Sequence, residues 1–110
     1  YTMKHTKLLS LTAQQLYEVP ENVLEDAKTA GVTCIDLSKN KLTHVPEKLS
    51  LINSIEDLKI SCNQLDCLPD WFGGAFSHLR YIDLSRNQLT ILPESVGMLE
   101  RLREIDLSFN

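Results

Sequence analysis

The sequence has no excess of basic residues and no long apolar run. Its 110 residues include 11 Lys and Arg against 15 Asp and Glu, so the formal net charge is −4. Nucleic-acid-binding proteins usually carry a basic stripe, and anionic membrane surfaces attract the same charge. No apolar run approaches the roughly 18 residues of a membrane-spanning helix. We therefore expect a soluble chain with no nucleic-acid partner and no membrane partner.

Cysteine is also scarce. Cys34, Cys62 and Cys67 are an odd number with no paired spacing, whereas secreted repeat domains commonly carry disulfide-stapled ends. The amino-terminal sequence YTMKHTKLLSLTAQQ lacks the apolar stretch of a signal peptide. We expect a reducing, cytoplasmic location, although a removed signal or a missing end would leave the same pattern.

The spacings that mark common catalytic and cofactor sites are absent. The sequence has no C-x-x-C or H-x-x-x-H pair for a metal, and Gly73-Gly74 lacks the lysine that follows in a phosphate-binding loop. His5, His44 and His78 fall at different phases of the repeat described below, so none is placed to form a triad. We therefore expect no metal, no cofactor and no enzymatic activity.

The sequence does contain an asparagine that recurs at a fixed interval. Asn40, Asn63, Asn87 and Asn110 are 23, 24 and 23 residues apart, and each ends the phrase IDLSKN, LKISCN, IDLSRN or IDLSFN. An internal period of this length indicates a solenoid in which each repeat forms one turn.

Each turn follows the pattern L-x-x-L-x-L-x-x-N-x-L-x-x-L-P. The first turn is weaker, with Thr6 at the opening apolar position and Gln14 at the asparagine position. The fifth stops at Asn110 in the middle of its turn, so we expect residues 1–110 to be a single array of about five repeats, cut from a longer chain. The apolar and proline positions of the three complete central turns are Val32, Ile35, Leu37, Leu42, Val45 and Pro46; Ile55, Leu58, Ile60, Leu65, Leu68 and Pro69; and Leu79, Ile82, Leu84, Leu89, Leu92 and Pro93.

The L-x-L pair of each turn predicts a short strand. Residues such as Ile35 and Leu37 point to the same side, and stacked turns bury that side in a continuous core beneath a parallel sheet. Where the chain then bends inward, its backbone groups need partners, and a buried carboxamide offers both donors and an acceptor. The predicted ladder of such residues is Gln14, Asn40, Asn63, Asn87 and Asn110.

The outer side of each turn begins with proline. Residues 20–31 form the longest outer segment and predict a helix, with Val23, Leu24, Ala27 and Ala30 on its apolar face and Gly31 at its end. The predicted fold class is α/β: a solenoid with a curved parallel β-sheet on the concave face and short helices or 3-10 turns on the convex face. The later outer segments are predicted to pack inward through Leu49 and Ile52, Phe72 and Phe76, and Val96 and Leu99.

These residues resemble the leucine-rich-repeat superfamily over the whole chain. The L-P-x-x-L/V/F pattern at a period near 23 is similar to its intracellular Ras-group members. The sequence T-I-L-P, from Thr90 to Pro93, departs from the G-x-I-P of the plant extracellular class. The resemblance implies a domain without enzymatic activity, and a solenoid of this kind is usually built to bind a protein partner.

We predict that the partner binds the concave face, where strand alternation leaves alternate residues in solvent. Tyr81 and Arg86 are the predicted anchors, because Tyr and Arg are enriched among binding hot spots. Alternatively, Asp-Leu-Ser is the usual filling of this repeat class, and Asp36, Asp83 and Asp106 only keep the strands soluble and in register. The candidate partner-binding residues are Asp36, Lys39, Asp57, Lys59, Tyr81, Asp83, Arg86, Glu104 and Asp106.

Three further interpretations stay open. Trp71, on the convex side, is either a secondary contact or a residue partly buried over a neighbouring turn. The whole array could be a structural or regulatory spacer within a larger signalling protein or enzyme. Its uncapped ends, which include Leu107 and Phe109, could associate with another copy.

Overall fold

The structure, a computed structural model, describes residues 2–4 and 7–110 of the chain. The predicted positions Thr6 and His5 lie outside the described residues. Within the described residues six strands form one sheet, in the order β1 to β6. The strands are β1 (Thr2–Lys4), β2 (Leu8–Ser10), β3 (Cys34–Asp36), β4 (Asp57–Lys59), β5 (Tyr81–Asp83) and β6 (Glu104–Asp106).

From β2 to β6 the sheet is parallel, with one strand for each repeat. Ile35 lies opposite Leu58, Leu58 opposite Ile82, and Ile82 opposite Ile105, so equivalent residues of successive turns stack in register. Ile35, Leu58 and Ile82 are 0% exposed. This arrangement confirms the predicted α/β solenoid, because a constant repeat length brings each strand beside the one before it.

Strand β1 corrects the expectation of a purely parallel sheet. It pairs antiparallel with β2, placing Met3 opposite Leu9. Only three residues separate Lys4 from Leu8, whereas a parallel connection needs a crossover of a dozen or more residues. The short connection therefore dictates the antiparallel direction of this edge strand.

In the described part of the chain four helical segments lie on the side of the turns away from the sheet: α1 (Glu21–Ala30), the 3-10 helix η1 (Glu47–Leu51), α2 (Phe72–Ala75) and the 3-10 helix η2 (Glu94–Met98). Proline precedes α1, η1 and η2 directly, where its fixed φ suits the start of a helix. Gly31 ends α1 with φ of 67°, a left-handed conformation that glycine adopts without strain. The predicted helix over residues 20–31 is confirmed to within one residue at each end.

The buried face of α1 is narrower than predicted. Val23, Leu24 and Ala27 are buried, but Ala30, the last residue of the helix, is exposed. Among the other predicted inward residues, Leu49 and Leu99 are buried. Val96 is only half-buried.

Helix α2 approaches η2 unusually closely. A Cβ atom on Gly73 would lie 1.5 Å from the backbone oxygen of Ser95, and the Gly73 N–H donates a hydrogen bond of 3.1 Å to Ser95 Oγ. Beside this contact, the rings of Phe72 and Phe76 are buried edge to face, with centroids 5.0 Å apart. The glycine in W-F-G-G therefore lets two convex segments pack backbone to backbone.

The ladder asparagines join neighbouring turns. Asn63 Oδ1 accepts a hydrogen bond of 3.0 Å from the Leu42 N–H, while its Nδ2 donates to the carbonyls of Leu37 and Ser61, each at 3.1 Å. Asn40, Asn87 and Asn110 make the corresponding contacts. Each carboxamide therefore bonds backbone groups of its own turn and of the turn before it.

Gln14 does not act as these asparagines do. Its side chain is exposed, and its own backbone N–H donates a hydrogen bond of 3.1 Å to Asn40 Oδ1. The strand before this turn, β1, is antiparallel, so no preceding parallel turn presents backbone groups to a carboxamide here. Asn40 therefore supplies the ladder contact of the first turn, whereas the described contacts include no hydrogen bond made by the Gln14 side chain.

Candidate functional site

The sheet carries two rows of side chains on the face opposite the core. Strand register aligns Cys34, Asp57, Tyr81 and Glu104 in one row and Asp36, Lys59, Asp83 and Asp106 in the other. Glu104 is exposed and the other seven side chains are partly exposed. These eight residues are called the concave strip below. The structure thus brings seven of the nine predicted partner-binding residues into one surface.

The concave strip is acidic around a central tyrosine. Its one amine is Lys59, and burial first, followed by nearby carboxylates, raises the pKa of Tyr81 above its ordinary value of 10.0. The Tyr81 hydroxyl therefore stays protonated at neutral pH and can donate a hydrogen bond. The carboxylates of the strip are Asp36, Asp57, Asp83, Glu104 and Asp106.

Aspartates of the second row are partly engaged with their own turns. Asp83 Oδ1 accepts hydrogen bonds from the Ser85 N–H at 3.0 Å and from Ser85 Oγ at 2.7 Å. Asp106 makes the same pair of contacts with Ser108, whose hydroxyl and then backbone hydrogen bonds lower the Asp106 pKa below 3.8. These contacts are those expected of the structural alternative, in which Asp-Leu-Ser stabilises the strand end.

Lys39 and Arg86, the other two predicted residues, lie just beyond the strands and are exposed. Both have left-handed backbone conformations, with φ of 60° and 57°. The Arg86 guanidinium stacks 4.2 Å from the centroid of the Phe109 ring, a cation–π contact. Arg86 is therefore positioned by the next turn and lies at the edge of the strip.

The left-handed residues recur at the same place in each turn. This conformation costs a residue other than glycine about 1–2 kcal/mol. In the central turns it lets the N–H of this residue donate to a serine carbonyl of the following turn, as from Cys62 to Ser85 at 3.0 Å. No glycine marks this bend in the sequence; it occurs at Ala13, Lys39, Cys62, Arg86 and Phe109.

Arg80 was not predicted as part of the site. Its guanidinium lies 3.3 Å from Glu56 and 3.9 Å from Asp57, at the edge where β4 and β5 begin. Aligning the repeats could have indicated this ion pair. Glu56 directly precedes β4, Arg80 directly precedes β5, and these two strands pair in register. Such an exposed pair contributes little to stability, but it fixes a positive charge beside the acidic strip.

Trp71 is half-buried on the convex side. Its ring centroid lies 6.4 Å from that of Phe72 and 6.3 Å from that of Phe76. This is the partial burial that the sequence allowed as one alternative. The ring is held in place by packing within the protein.

The described residues offer few reactive groups. Burial is the main cause that raises the pKa of the half-buried Cys34 thiol, and a hydrogen bond with Asp66 is the main cause at the exposed Cys67. Both thiols are therefore weak nucleophiles at neutral pH. In the same part of the chain, no group of three or more His, Cys, Asp or Glu is arranged to hold a metal ion. Nor does any helix described there have the length and apolarity to cross a membrane.

Comparisons with known proteins agree with this geometry. The chain is similar to a solved leucine-rich-repeat protein of Leptospira interrogans, with a TM-score of 0.76 and 25% sequence identity over 94% of this chain. The matched region is 31% of that protein, so this chain spans about a third of its length. Curated proteins gave no significant match. The family model described as leucine rich repeat matches residues 54–110, about half of the sequence, and the chain therefore belongs to the leucine-rich-repeat family.

Proposed function

We propose that this chain is a non-enzymatic interaction module that binds a protein partner through the concave strip. Leucine-rich-repeat domains generally mediate protein–protein interaction, and the family match supports that class of function. The observation that carries the proposal is that two rows of partly exposed side chains are aligned across the sheet. Tyr81 lies in β5, which has β4 on one side and β6 on the other. These rows stand above a fully buried core, so the surface is held rigid before any partner binds.

The dimensions of the strip suit an extended peptide or the edge of a small domain. The four parallel strands β3 to β6 are three steps of about 4.8 Å, so the strip is about 14 Å wide. Tyr81 offers a ring and a protonated hydroxyl near the centre, and Arg86 offers a guanidinium at the margin. Tyr and Arg are among the residue types enriched in binding hot spots. We propose these two as the anchors.

A pull-down comparison tests the proposal. The wild-type chain, a Tyr81→Ala/Arg86→Glu variant and a matched control, Glu94→Lys on η2, are immobilised and exposed to the same lysate. We expect proteins retained by the wild type and the control to be lost from the double variant, with circular dichroism showing all three folded. Equal retention by all three folded proteins would contradict concave-strip binding.

The alternative function is a structural or regulatory spacer within a larger signalling protein or enzyme. The contacts of Asp83 and Asp106 with serines of their own turns favour it, because they assign part of the strip to strand stability. If neither the wild type nor the control retains a partner, the spacer function is favoured.

Three finer proposals accompany this function. We propose a cytoplasmic protein of the intracellular L-P-x-x-L class, and residues 19–42 resemble the later repeats of leucine-rich repeat-containing protein 40. We also propose self-association through the last two turns, where Ile91 of the fourth turn and Phe109 of the fifth are 72% and 71% exposed. Sedimentation velocity tests the last point: a monomer at all concentrations would contradict it, and Phe109→Ser should dissociate a dimer.

A further inference from the structure

A groove of about 560 Å³ crosses one flank of the first three turns. Its walls come from the chain that follows successive asparagine positions: Tyr17 from the first turn, His44 from the second, and Pro69 and Trp71 from the third. None of these residues belongs to the concave strip. The groove is therefore a separate surface, and nothing in the preceding proposal depends on it.

The floor of the groove is apolar and already packed. Val19, Leu24, Leu42 and Val45 line it and are all buried. Because these residues belong to the core cluster, the floor does not have to reorganise to receive a ligand.

Aromatic side chains stand along the rim. Tyr17 is 68% exposed, and the Lys41 amine lies 5.3 Å from its ring centroid. His44 is also exposed, while Trp71 is held by its packing on Phe72. An apolar floor with aromatic edges is the usual composition of a site that takes an apolar side chain.

The charge around the groove is mainly negative. Glu18, Glu21 and Glu47 line it and are exposed, against two amines: that of Lys48 in the lining and that of Lys41 over the Tyr17 ring at the rim. Both salt bridges found in the described part of the chain belong to Arg80, so none of these three carboxylates is neutralised by an ion pair there. Carboxylates repel phosphate, which disfavours nucleic acid and anionic lipid, and they attract lysine and arginine.

We propose that this flank groove binds a short extended peptide of a partner protein, which inserts an apolar side chain between Tyr17, His44 and Trp71. A lysine or arginine of the peptide then lies beside the three glutamates. Three turns are two steps of about 4.8 Å, so the groove spans roughly three residues of extended chain at about 3.3 Å each. The geometry thus matches a short linear segment rather than a folded domain.

Selection from a random peptide library displayed on phage tests the proposal. The library is panned against the wild-type chain, and the enriched peptides are synthesised and titrated by the fluorescence of Trp71, the only tryptophan. We expect enrichment of peptides with lysine or arginine next to an apolar residue. Their affinity should fall as salt rises, because exposed charges are screened.

Exposed variants then locate the bound peptide without disturbing the fold. A Glu18→Lys/Glu47→Lys variant should weaken binding about tenfold, since it removes two exposed attractions and adds two repulsions. Tyr17→Ser should also weaken it. Matched controls are Glu100→Lys, an exposed charge reversal outside the groove, and Tyr81→Ala in the concave strip; both should bind as the wild type does.

Several results would overturn the proposal. These are no enrichment, enrichment of acidic or uncharged peptides, or affinity that is unchanged by both groove variants. Sedimentation velocity tests whether a second copy of the chain occupies the groove instead. A dimer that dissociates on Tyr17→Ser would assign the groove to that second copy. Loss of binding on Tyr81→Ala alone would move the peptide to the concave strip.

Discussion

Replacing Asn63 by alanine removes one side chain that holds two turns together. Asn63 Nδ2 donates to the carbonyls of Leu37 and Ser61 and, at 3.4 Å, to that of Ile60. Each of these carbonyls keeps another donor: Leu37 O retains Asn40 Nδ2, Ile60 O retains Asn87 Nδ2, and Ser61 O retains the Lys39 N–H, each at 2.9 Å. Those acceptors therefore stay satisfied in the variant.

The Leu42 N–H is in a different position. Its bond to Asn63 Oδ1, at 3.0 Å, is buried, and the described contacts give it no second acceptor. An unsatisfied buried donor costs about 1–3 kcal/mol, and each of the two lost 3.1 Å bonds contributes about 0.5–1.5 kcal/mol. We therefore expect Asn63→Ala to lower the free energy of unfolding by about 2–6 kcal/mol, a large part of the 5–15 kcal/mol typical of a domain.

Urea denaturation followed by circular dichroism and Trp71 fluorescence measures this loss. Gln64→Ala, at the exposed next position, is the matched control and should change the free energy of unfolding by less than about 0.5 kcal/mol. The loss for Asn110→Ala should lie between those for Asn63→Ala and Gln64→Ala. Asn110 Oδ1 accepts a hydrogen bond from the Leu89 N–H at 3.0 Å, but the Asn110 side chain is exposed. A loss below about 1 kcal/mol for Asn63→Ala would refute the reasoning, since it would show that water replaces the carboxamide.

Three further predictions concern other positions. Gly73→Ala should destabilise the chain by more than about 1–3 kcal/mol, because its Cβ would meet Ser95 O at 1.5 Å, whereas Gly74→Ala, with nothing within 4 Å, should be neutral or stabilising by up to about 1 kcal/mol; melting temperatures compare the pair. Gly31→Ala should cost about 1–2 kcal/mol by forcing alanine to φ of 67°, and a smaller loss in urea would contradict a left-handed helix end. The raised pKa of Cys34 means that the folded state holds the thiol proton more tightly, so this stability contribution is complete below pH 9.0 and is lost as pH rises through the folded pKa. Between pH 8 and pH 10 in reducing buffer, the free energy of unfolding should therefore fall less for Cys34→Ser than for the wild type. The difference between the two falls is the contribution of the Cys34 thiol. Equal falls would contradict burial as the cause of the raised pKa.

Much of the fold follows from local patterns in the sequence. The period of the asparagines predicts the parallel register of Ile35, Leu58 and Ile82, because equal repeat lengths stack equivalent residues. Pro20 predicts the start of α1 because its ring restricts the backbone φ. Gly31 predicts the end of α1 because glycine permits the left-handed conformation found there. These signals are readable because each depends on residues close together in the chain.

The candidate sites were predicted less completely. Strand alternation gave the residues of the concave strip, but the left-handed turn at Arg86 and its contact with Phe109 carried no local signal. The flank groove was not predicted at all. Its walls, Tyr17, His44 and Trp71, are far apart in sequence and become neighbours only when three turns stack.

The sequence by itself determined the repeat, the strand faces, the helix of the first turn and the family, because side-chain periodicity and turn chemistry act over a few residues. The tertiary structure decided the exposure of Gln14 and the close approach of Gly73 to Ser95. It also decided which exposed side chains share a surface. These features depend on how one turn packs against the next, which the residues of a single repeat do not specify.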